Sequence, residues 1–215
     1  MMKRLVWIGM LLATLLTFAS PAMAFDWGAR AGVNFASLAG PDRDNFGLQG
    51  GRVGLVAGLV MMQKIPGVPV RVAAELTYSQ QGAKFEGVLP GAVEQQEARF
   101  NLDYINLAAV ARIDIIPGPI KPYALVGAQG GFRVSGRFVT EDDVYALDDT
   151  TTPSLDGILR STNVGMVLGA GARMRAGGMG FFAELRYNRD LMSIGKERSD
   201  RIFNSVITLG AGVHF

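Results

Sequence analysis

From Phe25 onward, the dominant signal is an alternation of apolar and polar residues. Phe25, Trp27, Ala29, Ala31, Val33 and Phe35 share one parity, and Asp26, Gly28, Arg30, Gly32 and Asn34 share the other. A β-strand turns successive side chains to opposite faces, so this period predicts a strand with one apolar and one polar face. The pattern recurs seven times. Its apolar faces run through Val53–Met61, Val70–Tyr78, Ile105–Ile113, Ala124–Val134, Val164–Met174, Phe181–Tyr187 and Phe203–Phe215. In the fourth segment Phe100 and Leu102 have the opposite parity, which predicts a bulge or a membrane exit near Asp103.

The connections alternate as well. Ser37–Gly50, Gln81–Ala98 and Gly136–Arg160 are long, and Met192–Asp200 is moderate. Lys64–Pro69 and Ile115–Lys121 are short, and Ala176–Gly178 is very short. The two longer short-side turns carry Pro66, Pro69, Pro117 and Pro119, where no ladder donor is needed. Eight strands with short turns at one end and long loops at the other predict an all-β, eight-stranded antiparallel up-and-down barrel.

The first 24 residues stand apart. Lys3 and Arg4 precede an apolar run from Leu5 to Ala19, and Ala22-Met23-Ala24 follows Pro21. This is the layout of a secretory signal peptide, with cleavage expected between Ala24 and Phe25. The barrel domain is then 25–215. The run is shorter than the roughly 20 apolar residues of a spanning helix. The 21 basic and 19 acidic residues of the whole chain become 19 and 19 once Lys3 and Arg4 are removed. That neutral balance gives no reason to expect a nucleic-acid partner. With no cysteine there is neither a disulfide framework nor a thiolate metal site. The 28 glycines argue against long helices.

Alternation alone leaves the orientation open, because a soluble lipocalin-like carrier also alternates, with its apolar face inward. The polar faces here hold Gly, Ala, Asn and Thr with scattered Arg and Glu, while Lys64, Lys84, Lys121 and Lys196 fall in turns and loops. Small residues suit the narrow interior of eight strands. Turned outward, each of Arg30, Arg71, Arg112, Arg133, Arg173 and Arg186 would meet hydrocarbon, at roughly 2–4 kcal/mol near the midplane. The sum rivals a domain's whole stability of about 5–15 kcal/mol. The apolar faces are therefore expected to meet outer-membrane lipid. The barrel closes every backbone hydrogen bond, as lipid demands. Trp27, Tyr78, Tyr187 and Phe215 lie near strand ends, where aromatic girdles belong.

Several segments resemble a known family. They are Gly28–Phe35, Glu75-Leu76-Thr77-Tyr78-Ser79-Gln80-Gln81-Gly82-Ala83, Leu102–Leu107, Lys121-Pro122-Tyr123 and Glu184-Leu185-Arg186-Tyr187-Asn188. Together, and in this order, they resemble the PorT-type outer-membrane β-barrel domain across nearly the whole mature chain. Asn106-Leu107 departs from that family's fourth-strand pattern. The resemblance implies the barrel fold and, for some members, a link to protein secretion. The terminal Phe215, with Val213 and Ala211 on its face, is similar to the end signal read by the barrel-assembly machinery.

Candidate chemistry is sparse. Arg30, Arg71, Glu75, Arg112, Arg133, Arg173, Glu184 and Arg186 share the lumen face and are expected to form an internal salt-bridge network, because unpartnered arginines are expensive to bury. An anion site or a pore lining is the alternative. The sole histidine, His214, belongs at the periplasmic end and reads as a lumen side chain, so no enzyme is expected. Glu141, Asp142, Asp143, Asp148, Asp149 and Asp156 read as a solvated loop, with a divalent cation or lipopolysaccharide as the alternative contact. Asp42-Arg43-Asp44 lacks the downstream spacing of a calcium loop. The glycines at 127–131 and 169–171 fall inside strands and are not phosphate loops. No cofactor is expected. The sequence favours a structural or interaction role through extracellular loops, where a protein partner can dock. A secretion-linked barrel and a narrow pore are its rivals.

Overall fold

The structure is a computed structural model, and it describes residues 25–39, 48–87, 96–140, 144–146, 160–193 and 203–215. The leader with Ala24, the acidic loop residues 141–143, 148, 149 and 156, and the segment 42–44 lie outside the described residues. Eight long strands follow one another: β1 (Asp26–Ala39), β2 (Leu48–Lys64), β3 (Val70–Gly87), β4 (Gln96–Asp114), β5 (Ile120–Thr140), β7 (Thr162–Ala176), β8 (Met179–Asp190) and β9 (Phe203–His214). A short β6 (Val144–Ala146) pairs only with the top of β5, at Arg137–Val139.

Each long strand pairs antiparallel with its neighbours in chain order, and β9 returns to pair with β1. At the foot of that seam Trp27 and Phe215 exchange backbone hydrogen bonds of 3.1 and 2.8 Å. The ladder partners of Ser37 lead through Ser205, Arg189, Met166, Ala128, Ala109, Ala74 and Met61 back to β1 at Trp27. One circuit of the wall thus descends ten residues along β1. With a rise of 3.3 Å per residue and strands about 4.8 Å apart, that stagger tilts the strands by roughly 40°. The β7–β8 turn, Ala176-Gly177-Gly178-Met179, needs positive φ at both central residues, which Gly177 (59°) and Gly178 (84°) supply.

The outside is apolar. Phe35, Leu55, Leu59, Leu76, Ile105, Leu107, Leu185, Leu209 and many others stand exposed on the wall, while their neighbours in sequence are buried. Phe215, Val213 and Ala211 lie on this outer face, with His214 turned inward. Trp27 and Phe215 are exposed at the end that holds the termini.

One sequence expectation needs correction. The long strands outrun the alternation: β3 continues to Gly87, β4 begins at Gln96 and β5 reaches Thr140, all inside segments read as loops. Backbone pairing does not depend on which way side chains face, so the ladder continues where the period-two pattern ends. A bulge does lie at Asp103, as the parity break predicted, in the β4–β5 ladder. β4 itself runs unbroken against β3, and Leu102 is buried beside Tyr104 on the same inward parity. The irregularity belongs to β5, where Asp103 pairs with Ser135 and Tyr104 with Arg133, leaving Val134 as the extra residue.

Candidate functional site in the barrel interior

The inward parity of the strands delivers charge to one level of the lumen. Glu75 on β3 accepts hydrogen bonds from Arg30 Nη1 of β1 (3.1 Å), Arg112 Nη2 of β4 (3.0 Å) and both terminal nitrogens of Arg186 on β8 (2.7 Å each). Glu184, also on β8, lies 2.6 Å from Arg186, 3.4 Å from Arg30 and 3.5 Å from Arg112, and accepts a hydrogen bond from the Tyr123 hydroxyl at 3.0 Å. No side chain among the five ions is more than 5% exposed. In a low-dielectric interior such charge-assisted bonds are short and strong, provided that each ion keeps its partners. Within the cluster the Glu75–Arg186 bond alone spans 111 positions of sequence.

Arg112 also stacks its guanidinium on two rings, 4.6 Å from the centroid of Phe182 and 5.7 Å from that of Tyr123. Apolar side chains fill the level around it. Val60, Met62, Ala73 and Phe182 form one buried group, and Ala108, Val110, Tyr123, Leu125 and Val167 form another. Above the cluster uncharged bonds join the lumen side chains, with Arg52 and Asp103 3.8 Å apart among them. Asn34 donates to Ser79 (2.9 Å) and accepts from Thr208 (2.8 Å), and Asn204 donates to Gln81.

Of the eight lumen charges named from the sequence, five meet in this cluster. Arg71 and Arg173 sit lower, at the mouth beside the termini. Arg71 bonds Asp26 at 3.1 Å, and Arg173 grips both oxygens of Asp114. Arg133 stands opposite Tyr104, toward the other mouth. His214 is buried, with Nδ1 3.6 Å from Asp26 and its ring 6.5 Å from that of Phe182. Gly180, Phe182 and Asp26 enclose the imidazole, and none carries a nucleophilic hydroxyl.

Tyr123, Phe182, Asp26 and Asp114 belong to the site but were not picked out from the sequence. Their inward parity marked them. What the sequence did not reveal was the register, which sets three inward rings opposite inward glycines: Tyr123 against Gly171, Phe182 against Gly212 and His214 against Gly180. A Cβ at Gly171 would lie 2.7 Å from both the Cζ and the hydroxyl of Tyr123. Gly171→Ala should therefore cost about 1–3 kcal/mol, the usual cost of overpacking. Tyr123→Ala in the same chain should recover part of that loss. Urea midpoints of the two single variants and the double would show it; strictly additive effects would mean that the ring does not rest on Gly171.

A family model described as outer membrane protein beta-barrel domain matches residues 18–195. No curated protein matches. Among solved structures, a major outer membrane protein from Thermus thermophilus is 14% identical, with 89% of this chain and 100% of that one covered at a TM-score of 0.53. Neisserial surface protein A is 17% identical over 88% and 97% of the two chains (TM-score 0.48). The attachment invasion locus protein Ail of Yersinia pestis, solved with the heparin analogue sucrose octasulfate, is 17% identical over 90% and 100% (TM-score 0.45).

Proposed function

We propose that this chain, which belongs to the outer membrane protein beta-barrel domain family and resides in the bacterial outer membrane, is a sealed, non-catalytic barrel that acts as a structural and interaction scaffold. In such barrels the termini and short turns face the periplasm and the longer connections face the exterior. The β1–β2, β3–β4, β5–β7 and β8–β9 connections are thus the segments offered to a protein partner or to lipopolysaccharide. The apolar wall contacts lipid, and Phe215, Val213 and Ala211 present the end signal to the assembly machinery. Residues 1–24 serve as the export signal, cleaved before Phe25.

One observation carries this reading: the Glu75–Glu184–triple-arginine cluster, with the apolar side chains around it, crosses the lumen at a level where no ion is more than 5% exposed. An eight-stranded barrel has only enough room for its own side chains. The protein reconstituted in a planar bilayer should show no channel steps above the bare-membrane background. Steady unit conductance would reject the sealed barrel in favour of a narrow pore.

The finer reading, a PorT-type barrel linked to secretion, is supported by the motif from Glu75 to Ala83 and the other segments that accompany it. Deleting the gene should then block export of particular cargo; an unchanged secretome would remove that reading and leave the scaffold.

A further inference from the structure

Two depressions lie at the foot of β5 and β7 and have Arg173 in common. One, about 550 Å³ in volume, opens at the periplasmic mouth between the β2–β3 and β4–β5 turns. Lys64, Arg71, Lys121 and Arg173 line it against a single acid, Asp114, and Ile115 and Ile116 form part of its rim. The other, also about 550 Å³, lies on the lipid-facing wall, floored by Ala172, Ala183 and Ala211 and flanked by Ile120, Met174 and Phe181. Arg173 borders both. The ladder pairs Lys121 with Arg173 and, one step along, Ile120 with Met174. Lys121 and Ile120 are successive residues at the start of β5, so the cationic mouth lies on the inner side of the wall's lower rim and the apolar groove on its outer side, with a ligand reaching both only by passing over that rim.

The mouth has spare positive charge. Asp114 is taken by Arg173, and Arg71 is taken by Asp26. Among the described residues no carboxylate lies within ion-pairing distance of Lys64 or Lys121. An anion joined to a long apolar tail satisfies both depressions at once. From this arrangement we propose that the β5–β7 foot is a binding site for an anionic phospholipid of the periplasmic leaflet. Its phosphate sits at Lys64 and Lys121, and one acyl chain lies in the alanine-floored groove. The charge complementarity favours phosphatidylglycerol-like headgroups over zwitterionic ones, and the groove distinguishes a lipid from a free phosphate.

The test uses the full barrel refolded into phosphatidylcholine vesicles with trace spin-labelled phosphatidylglycerol or spin-labelled phosphatidylcholine. The motionally restricted fraction reports the association of each. Phosphatidylglycerol should be preferred, by roughly fivefold for each lysine at low salt. Lys64→Gln with Lys121→Gln should bring the preference close to one. Ala183→Leu, an apolar exchange on the lipid face, should fill the groove and reduce restricted phosphatidylglycerol while both lysines remain. Heat-modifiable gel mobility confirms that each variant is folded. Equal association of the two lipids with the parent barrel overturns the proposal. So does a preference that survives loss of both lysines, or one that excess inorganic phosphate abolishes while Ala183→Leu has no effect; the last pattern leaves only a small-anion site.

Discussion

Glu75→Ala should destabilise the barrel by about 3–5 kcal/mol, the usual cost of removing one partner from a buried ion cluster. The size follows from the geometry. Glu75 accepts four bonds from three arginines at 2.7–3.1 Å, and its side chain is 1% exposed. Without it, Arg30, Arg112 and Arg186 face Glu184 alone, so a carboxylate deficit of one becomes a deficit of two in a space without bulk water. Glu75→Gln keeps the shape but not the charge and should fall between parent and alanine. Urea titrations in lipid vesicles, read by heat-modifiable mobility, would place all three, with the midpoint moving at constant slope. Adding Arg186→Ala to Glu75→Ala should cost less than the two single losses combined, because the double variant returns the deficit to one. An unchanged midpoint in Glu75→Ala would mean that the arginines are solvated rather than locked.

The origin of this cluster explains what the sequence could and could not reveal. Parity along one strand is a local property. It placed Arg30, Glu75, Arg112, Glu184 and Arg186 on the inner face, and Leu55, Leu76, Leu107 and Leu209 on the outer one. Which of those ions touch depends on the stagger between strands, and the stagger is set by the closed wall as a whole. That is why Arg71 and Arg173, which share the same face, fall to a lower level with Asp26 and Asp114. The inward apolar residues Val60, Val110, Leu125 and Val167 were hidden for a different reason. A strand apolar on both faces shows no alternation, so it gives no sign of which side is the core. The pairing of rings with glycines is likewise a property of register: Tyr123 and Gly171 are 48 residues apart and become neighbours only through the β5–β7 ladder.

Orientation is the premise beneath all of this, and arginine placed on the outer wall tests it most directly. Leu209 is 58% exposed and sits between Val33 and Leu185 on the neighbouring strands, several residues from the end of β9. Leu209→Arg should cost about 2–4 kcal/mol, the depth-dependent cost of a cation facing hydrocarbon near the midplane. Met179 is also outward but lies at the two-glycine turn, where a long cationic side chain can reach the interface. Met179→Arg should cost only about 0–1 kcal/mol. The comparison between the two depths matters more than either value, because loss of leucine packing alone would not produce a gradient with depth. Folding free energies measured in vesicles of one thickness would give it. In a soluble barrel the same wall would face water and both arginines would be tolerated alike, so equal, small effects at 209 and 179 would mean that the wall does not face lipid.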